Sequence, residues 1–270
     1  PYADERNDIV PGEAALALVM LYEYTGDEKW IESLPSYFSF YEPWWDERQA
    51  RRRNDRAWPM HHYENQDRLD LVQFGPWSVM AANRYNLATG REEGVDFAMK
   101  VGHWMIEEYM WDEDRAPWPD YVGGYYKFDG ELPAMQAFCY AEGTAAAYQL
   151  ATRVRPEERE FFETATRESA RFALQMQYTD LNTYAFPRGD EVWGGTRYSM
   201  NETKVRIDYV HHALSAVYQY VVGARLDPDL AEDVRVSPYR KALEEAKKAQ
   251  EEAQAIEEGS GQSPEGVETP

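Results

Sequence analysis

One sequence pattern occurs four times along the chain: a helix rich in small residues, a tight turn, and a more polar helix. The turns fall at Gly26, Gly90, Arg153 and Gly223, which places them 64, 63 and 70 residues apart. Self-similarity at a fixed period is typical of arrays in which each unit buries its apolar face against its neighbours. The pattern therefore predicts an all-α domain of repeated helical hairpins.

The ends of the predicted helices follow from local signals. The first helix begins at Pro11 and stops at Gly26, which is the usual asymmetry of helix ends. Its partner is predicted from Asp27 to about Phe40. The remaining helices are predicted at residues 72–89, 91–110, 140–153, 156–178 and 206–223. Because the first helix of each pair is rich in small residues, we expect these helices to form an inner layer, with the amphipathic second helices outside.

The long loops between hairpins share an aromatic-proline motif. Trp58, Trp118 and Phe186 each precede a proline in such a loop. Two loop segments, 122–130 and 192–199, have the glycine and aromatic content of short β-hairpins. If the hairpins curve into a ring or an arc, the equivalent loops meet on one rim, where a functional site is expected.

The charge balance excludes two classes of partner. The chain has 49 acidic and 28 basic residues, a net charge of -21, which disfavours nucleic acid and anionic membranes. No segment approaches the ~18 apolar residues of a membrane span. The basic set contains 7 Lys against 21 Arg. Two interpretations stay open, a halophilic protein or an ordinary acidic protein whose charge is inflated by its tail.

The composition divides the chain into three parts. Residues 1–230 are predicted to form the hairpin-repeat domain, 231–256 a charged helical segment, and 257–270 a disordered tail. The domain is expected to be truncated at its N-terminus, because helical sequence begins within about ten residues of Pro1. No signal peptide is recognised, which leaves the localisation open. The single cysteine, Cys139, excludes an internal disulfide and is predicted to be a buried core thiol.

The hairpin turn from Leu21 to Trp30, Leu-Tyr-Glu-Tyr-Thr-Gly-Asp-Glu-Lys-Trp, resembles the turns of the six-hairpin glycosidase-like, or α/α-toroid, superfamily. The resemblance covers about residues 11 to 225, with about four hairpins in place of six. It implies a toroid or partial toroid. It also implies activity on carbohydrate, because the superfamily includes glycoside hydrolases, sugar epimerases and polysaccharide lyases. No cofactor is expected.

Several carboxylates fall in the first turns of the predicted inner helices: Glu13, Asp67, Asp70, Glu142 and Asp208. The helix dipole alone favours acidic residues there. Hydrolysis of a glycosidic bond, however, needs two carboxyl groups about 5 to 10 Å apart. Glu142 is the predicted general acid, since aromatic and small neighbours are expected to shield it from water. Asp208 and Asp70 are its candidate partners.

The predicted substrate-binding residues combine aromatic rings, which stack on sugars, with polar groups that bind hydroxyls. They are Trp58, His62, Tyr63, Trp118, Asp120, Tyr121, Trp193, Arg197 and His211. Trp44, Trp45, Tyr125 and Tyr126 are also placed on the loops. For any single aromatic residue, the alternative is that it packs its loop onto the rim.

The histidine pairs His61-His62 and His211-His212 suggest a metal site at first sight. Adjacent helical residues point about 100° apart, so we expect that neither pair binds one ion, and no metal site is predicted. One loop histidine and one inner-helix histidine, such as His62 and His211, are instead a candidate acid–base pair for an epimerase. His103 is predicted to be structural.

Three functions remain open from the sequence. The leading hypothesis is glycosidase-like hydrolysis of a poly- or oligosaccharide by a carboxylate pair on the loop rim. A second is a sugar epimerase or polysaccharide lyase on the same scaffold. The third is a non-catalytic module of a larger chain that binds a glycan or a protein.

Overall fold

The computed structural model describes residues 10–54, 66–126, 132–184 and 186–226. The first aromatic-proline loop, with Trp58, His61, His62 and Tyr63, lies outside the described residues. So do the predicted charged segment at 231–256 and the tail at 257–270.

The described residues form nine α-helices and one pair of short strands, which confirms the all-α prediction. The helices are α1 (Val10–Thr25), α2 (Leu34–Asn54), α3 (Gln66–Thr89), α4 (Val95–Tyr109), α5 (Cys139–Val154), α6 (Arg159–Met176), α7 (Asp180–Thr183), α8 (Gly189–Val192) and α9 (Ile207–Leu226). Strands β1 (Arg197–Ser199) and β2 (Glu202–Val205) pair antiparallel between α8 and α9. Among these helices, none is both long and apolar enough to cross a membrane.

The long helices pack in two layers. Helix α1 packs against α3, α3 against α5, and α5 against α9, so the first helices of the predicted hairpins are neighbours in chain order. Helix α4 packs on α3 and α5, and α6 packs on α5 and α9, as expected for an outer layer. Closure of the layers into a toroid stays a prediction.

Helix α5 lies at the centre of the fold, and every residue from Tyr140 to Ala151 is buried. Its small residues allow this close packing. A Cβ atom added at Gly143 would lie 2.9 Å from the Pro76 Cα atom, and one added at Gly223 would lie 2.6 Å from the Tyr148 ring. Glycine at these two positions therefore lets α3 and α9 approach α5.

Helix α2 corrects the sequence interpretation, which ended it near Phe40 and placed Trp44 and Trp45 in a loop. The helix continues through Pro43 to Asn54. The Trp45 side chain is 1% exposed, and its ring centroid lies 4.9 Å from that of Trp104. Burial of these aromatic side chains outweighs the helix-disfavouring effect of the proline.

The loop segments also differ from expectation. The β-hairpin lies further along the chain than the predicted segment 192–199. Residues 189–192 are helical, and only strand β1 falls within the predicted segment, at its C-terminal end. In the described part of segment 122–130, Tyr125 forms an isolated bridge with Met110. Tyr125 and Tyr126 are 0% and 6% exposed, so these two rings pack the loop onto the core.

A line of polar side chains crosses the inner layer. Asn83 Nδ2 of α3 donates to Gln149 Oε1 of α5 at 3.0 Å, and Gln149 Nε2 donates to Gln219 Oε1 of α9 at 2.7 Å. Arg153 Nη2 donates to Asn83 Oδ1 at 2.6 Å. Burial lowers the pKa of the Arg153 guanidinium. These bonds connect three consecutive inner helices through side chains alone.

Candidate functional site

A buried carboxylate and an imidazole meet where the N-terminal turn of α5 faces α9. The Glu142 side chain is 2% exposed and that of His212 is 16% exposed. Glu142 Oε2 lies 2.7 Å from His212 Nδ1. In the tautomer that carries its hydrogen on Nδ1, the ring donates this hydrogen bond to the carboxylate, and Nε2 is the second ring nitrogen.

The surrounding elements position this pair. The segment before α5 is fixed because Ala134 forms a β-bridge with Ser199 at the end of β1, and the short 3₁₀ turn at Met135–Ala137 packs against α9. Gly143, next to Glu142, permits the close approach of α3. The Trp77 ring of α3 lies 6.3 Å from the His212 ring. Three inner helices therefore contribute to one site.

His211 extends the pair toward solvent. It is exposed, and its ring centroid lies 5.1 Å from that of His212. One ligand atom each from Glu142, His211 and His212 lies within 4.8 Å of the others. Backbone directions about 100° apart therefore do not keep these ligand atoms apart, while the expectation that the two histidines do not bind one ion stays a prediction.

Of the other two predicted catalytic carboxylates, the structure describes the side chain of Asp208 alone, and Arg206 engages it. Asp208 lies in the first turn of α9, where its Oδ1 atom accepts a hydrogen bond from Arg206 Nε at 3.0 Å. Among the described side chains, the partner of Glu142 is His212. Asp70 lies near the start of α3, and its side chain is outside the described part of the chain.

A shallow depression of about 640 Å³ holds part of the predicted aromatic rim. It is lined by Trp118, Pro119, Asp120, Tyr121, Leu132, Met200 and Asn201. Gln175 joins its two sides, because its Nε2 atom donates to the Asp120 carbonyl oxygen at 2.9 Å and contacts Met200 Sδ at 3.6 Å. The second aromatic-proline loop and the β1–β2 turn thus form one concave surface.

The remaining predicted substrate-binding residues lie elsewhere. Trp193 is 62% exposed and does not line the depression. Arg197 Nη2 donates to the Gln175 carbonyl oxygen at 3.3 Å, which gives this side chain a structural role. In the third aromatic-proline loop, the Phe186 ring packs edge-on against Tyr178 with centroids 5.5 Å apart.

The sequence interpretation missed His212 as a site residue, although it selected the neighbouring His211. The available signal was the helical register of α9. Tyr209, Ala213 and Ala216 are the buried positions in the first half of that helix, and His212 lies beside this buried stripe. His212 was therefore the histidine of the pair better placed to face α5.

Comparison with known proteins assigns the chain to no family. No protein-family model, curated protein or solved structure matches it. The chemistry of the site is therefore inferred from the residues that form it.

Proposed function

We propose that this chain is a carbohydrate-active enzyme in which Glu142 and His212 perform the acid–base step. The observation that carries the proposal is the 2.7 Å contact between a 2% exposed carboxylate and an imidazole on the neighbouring inner helix. Burial of a carboxylate costs several kcal/mol unless a partner compensates for lost hydration. A carboxylate that orients an imidazole in this way is a recurrent arrangement of general acid–base catalysis.

The depression supports a sugar as substrate. Trp118 and Tyr121 offer ring faces for stacking on the apolar faces of a sugar, and Asp120 and Asn201 offer hydrogen-bonding groups for its hydroxyls. Asn201 follows β1, whose last residue, Ser199, is bridged to the segment that leads into α5. The depression and the Glu142–His212 pair are therefore attached to the same short segment. The resemblance to the α/α-toroid superfamily supports the same substrate class.

The identity of the Glu142 partner favours proton transfer at carbon, as in a sugar epimerase or a polysaccharide lyase. In this reaction His212 Nε2 removes a proton from a sugar carbon next to a carbonyl or carboxylate. Glu142, bonded to Nδ1, orients the ring and stabilises the imidazolium that forms.

Hydrolysis of a glycosidic bond is the second candidate, since Glu142 has the shielded position of a general acid. Glu142 would protonate the glycosidic oxygen, and a second carboxylate about 5 to 10 Å away would complete the mechanism. Asp208 or Asp70 would have to supply it. Asp208 is engaged by Arg206, whereas the His212 imidazole already contacts Glu142. These contacts favour proton transfer at carbon over hydrolysis.

The test compares two pairs of matched variants. Glu142→Gln and His212→Gln alter the proposed couple, while Glu158→Gln and His103→Gln make the same changes in a more exposed pair on the outer helices. A panel of uronic acids, neutral oligosaccharides and polysaccharides is incubated with each protein in D₂O. Deuterium incorporation by NMR reports proton abstraction, unsaturated products report a lyase, and new reducing ends report hydrolysis.

We expect turnover in the wild type and a loss of about 10² to 10⁴-fold in the first two variants, which is the usual contribution of a general acid or base. The two outer variants should stay within a few-fold of wild type. Full turnover in Glu142→Gln refutes the proposed role. Glycan binding without turnover of any kind in the wild type refutes the enzyme and favours a binding module.

A further inference from the structure

Three metal-binding atoms of suitable chemistry converge where α5 meets α9. They come from Glu142, His211 and His212, and all lie within 4.8 Å of one another. Two imidazole nitrogens and one carboxylate oxygen form a ligand set that zinc accepts and that leaves one tetrahedral position open. Calcium and magnesium prefer oxygen ligands throughout, so this set discriminates against them.

For the contact between Glu142 and His212, binding of an ion requires only a small rearrangement. Zinc–nitrogen and zinc–oxygen bonds of about 2.0 to 2.2 Å place tetrahedral donor atoms about 3.4 Å apart. Glu142 Oε2 and His212 Nδ1 are 2.7 Å apart, so an ion in place of the shared proton separates them by only about 0.7 Å. His211 is exposed, and its ring can turn toward the ion.

The three residues differ in exposure, so the site is closed at one end and open to solvent at the other. Glu142 lies at its closed end, His212 is mostly shielded, and His211 is at the solvent side. An ion bound there would compensate the buried carboxylate charge from one side and keep its open position toward solvent. The net charge of -21 further raises the local concentration of cations.

We infer that Glu142, His211 and His212 bind a zinc ion. With the ion on His212 Nδ1, the hydrogen of the neutral ring moves to Nε2, so Nε2 can no longer accept a proton and the acid–base couple is inhibited. The binding site stands on the geometry alone. The inhibition rests on the proposed function.

The direct test is a zinc titration of the full chain after treatment with a chelator, in competition with a chromophoric zinc indicator. We expect one zinc ion per chain and a tetrahedral absorption spectrum when Co²⁺ replaces zinc. Glu142→Gln, His211→Gln and His212→Gln should each weaken zinc binding by at least about tenfold.

His103→Gln is the matched control, because the chain has five histidines and His103 also contacts carboxylates. Its two ring nitrogens contact different residues, Nε2 at 2.7 Å from Glu158 and Nδ1 at 3.4 Å from Glu107, so they do not face one ion. Zinc affinity should be unchanged in this variant. An equal loss of zinc affinity in His103→Gln and His211→Gln overturns the assignment. So does a wild-type affinity no higher than that of a variant that carries Glu142→Gln, His211→Gln and His212→Gln together.

The two proposals fail separately. Turnover without zinc binding refutes the zinc site and supports the acid–base couple. Zinc binding without turnover supports the zinc site and refutes the acid–base couple. His211→Gln alters an exposed residue, so it should keep the fold, which circular dichroism checks. A loss of zinc binding in this variant therefore cannot be attributed to unfolding.

Discussion

Two Glu–His pairs in this molecule have the same contact and different surroundings. Glu142–His212 and Glu158–His103 each bring a carboxylate oxygen and a ring nitrogen to 2.7 Å. The first pair has side chains 2% and 16% exposed, whereas those of the second are 27% and 35% exposed. The contact distance alone therefore does not identify a candidate site; burial separates the two pairs.

The surroundings explain why the outer pair is better suited to structure. His103 is shared with a second carboxylate, Glu107, and its ring stacks on Phe161 with centroids 4.5 Å apart. An imidazole engaged on both nitrogens and on one face has no atom left for a substrate. The pair joins α4 to the turn before α6, where water weakens its attraction.

The two Glu–His pairs are expected to differ most in the loss of stability that follows removal of their histidine. His212→Ala leaves the Glu142 carboxylate buried without its partner, and we expect a loss of about 3 kcal/mol in the free energy of unfolding. His103→Ala exposes its partners to water and should cost less than about 1 kcal/mol from the ion pair. Urea denaturation measures both values. Equal losses would contradict the view that burial distinguishes the pairs.

Alkaline pH tests the effect of burial on a third polar contact. Tyr125 donates or accepts a 2.8 Å hydrogen bond with Thr144 Oγ1 in the core, and burial raises the pKa of Tyr125 from 10.0 to about 12. Below pH 10 the tyrosine is protonated in both states, so its full contribution is present. Between about pH 10 and 12 only the unfolded state ionises, and stability falls by about 2 to 3 kcal/mol.

Tyr125→Phe should flatten this part of the pH profile, as measured by thermal unfolding at a series of pH values. The remaining slope comes from other tyrosines such as the partly buried Tyr37, whose pKa is also raised by burial. An unchanged profile in the variant would show that Tyr125 does not contribute.

Gly143 tests whether helix spacing positions the buried pair. Gly143→Ala places a Cβ atom 2.9 Å from Pro76 Cα, and overpacking of this kind costs about 1 to 3 kcal/mol. We also expect weaker zinc binding, because Glu142 is adjacent. Gly90→Ala is the control. It has open space but a φ of +71°, so it should lose about 1 kcal/mol and keep zinc affinity.

Salt gives the smallest expected effect. Lys100 bridges Glu42 and Asp46 at 3.1 and 2.9 Å on the outer surface, and Lys100→Met should change stability by less than about 1 kcal/mol in low salt. This small difference should vanish in molar salt, whereas the effect of His212→Ala should persist. The same series tests the halophilic interpretation, which requires wild-type stability to rise with salt and is contradicted by equal stability.

The fold was predictable where its signals are local. Helix α5, expected at 140–153, spans Cys139–Val154, since its small residues and flanking turns specify it without reference to other elements. Helix α2 was not predictable in this way, because its second half depends on the packing of Trp45 against α3 and α4. Cys139 is half-buried rather than buried, since it begins α5 at the edge of the core.

The site was predictable only in part. Glu142 could be selected from its position in the first turn and from its aromatic and small neighbours. Its partner could not, because His212 is 70 residues away and the contact depends on how α5 and α9 face each other. Asp208 is a candidate by its helix position, but Arg206, two residues before it, engages that carboxylate in the structure.

The polar line from Asn83 through Gln149 to Gln219 has a consequence for folding specificity. Alanine-rich helices can slide past one another by a turn with little change in buried area, so packing alone defines their alignment weakly. A displacement of one helical turn, about 5.4 Å, would leave the buried amides of Asn83 and Gln149 without their partners, at about 1 to 3 kcal/mol per group. The amide hydrogen bonds therefore fix the register of the inner helices. In this register Glu142 lies opposite His212.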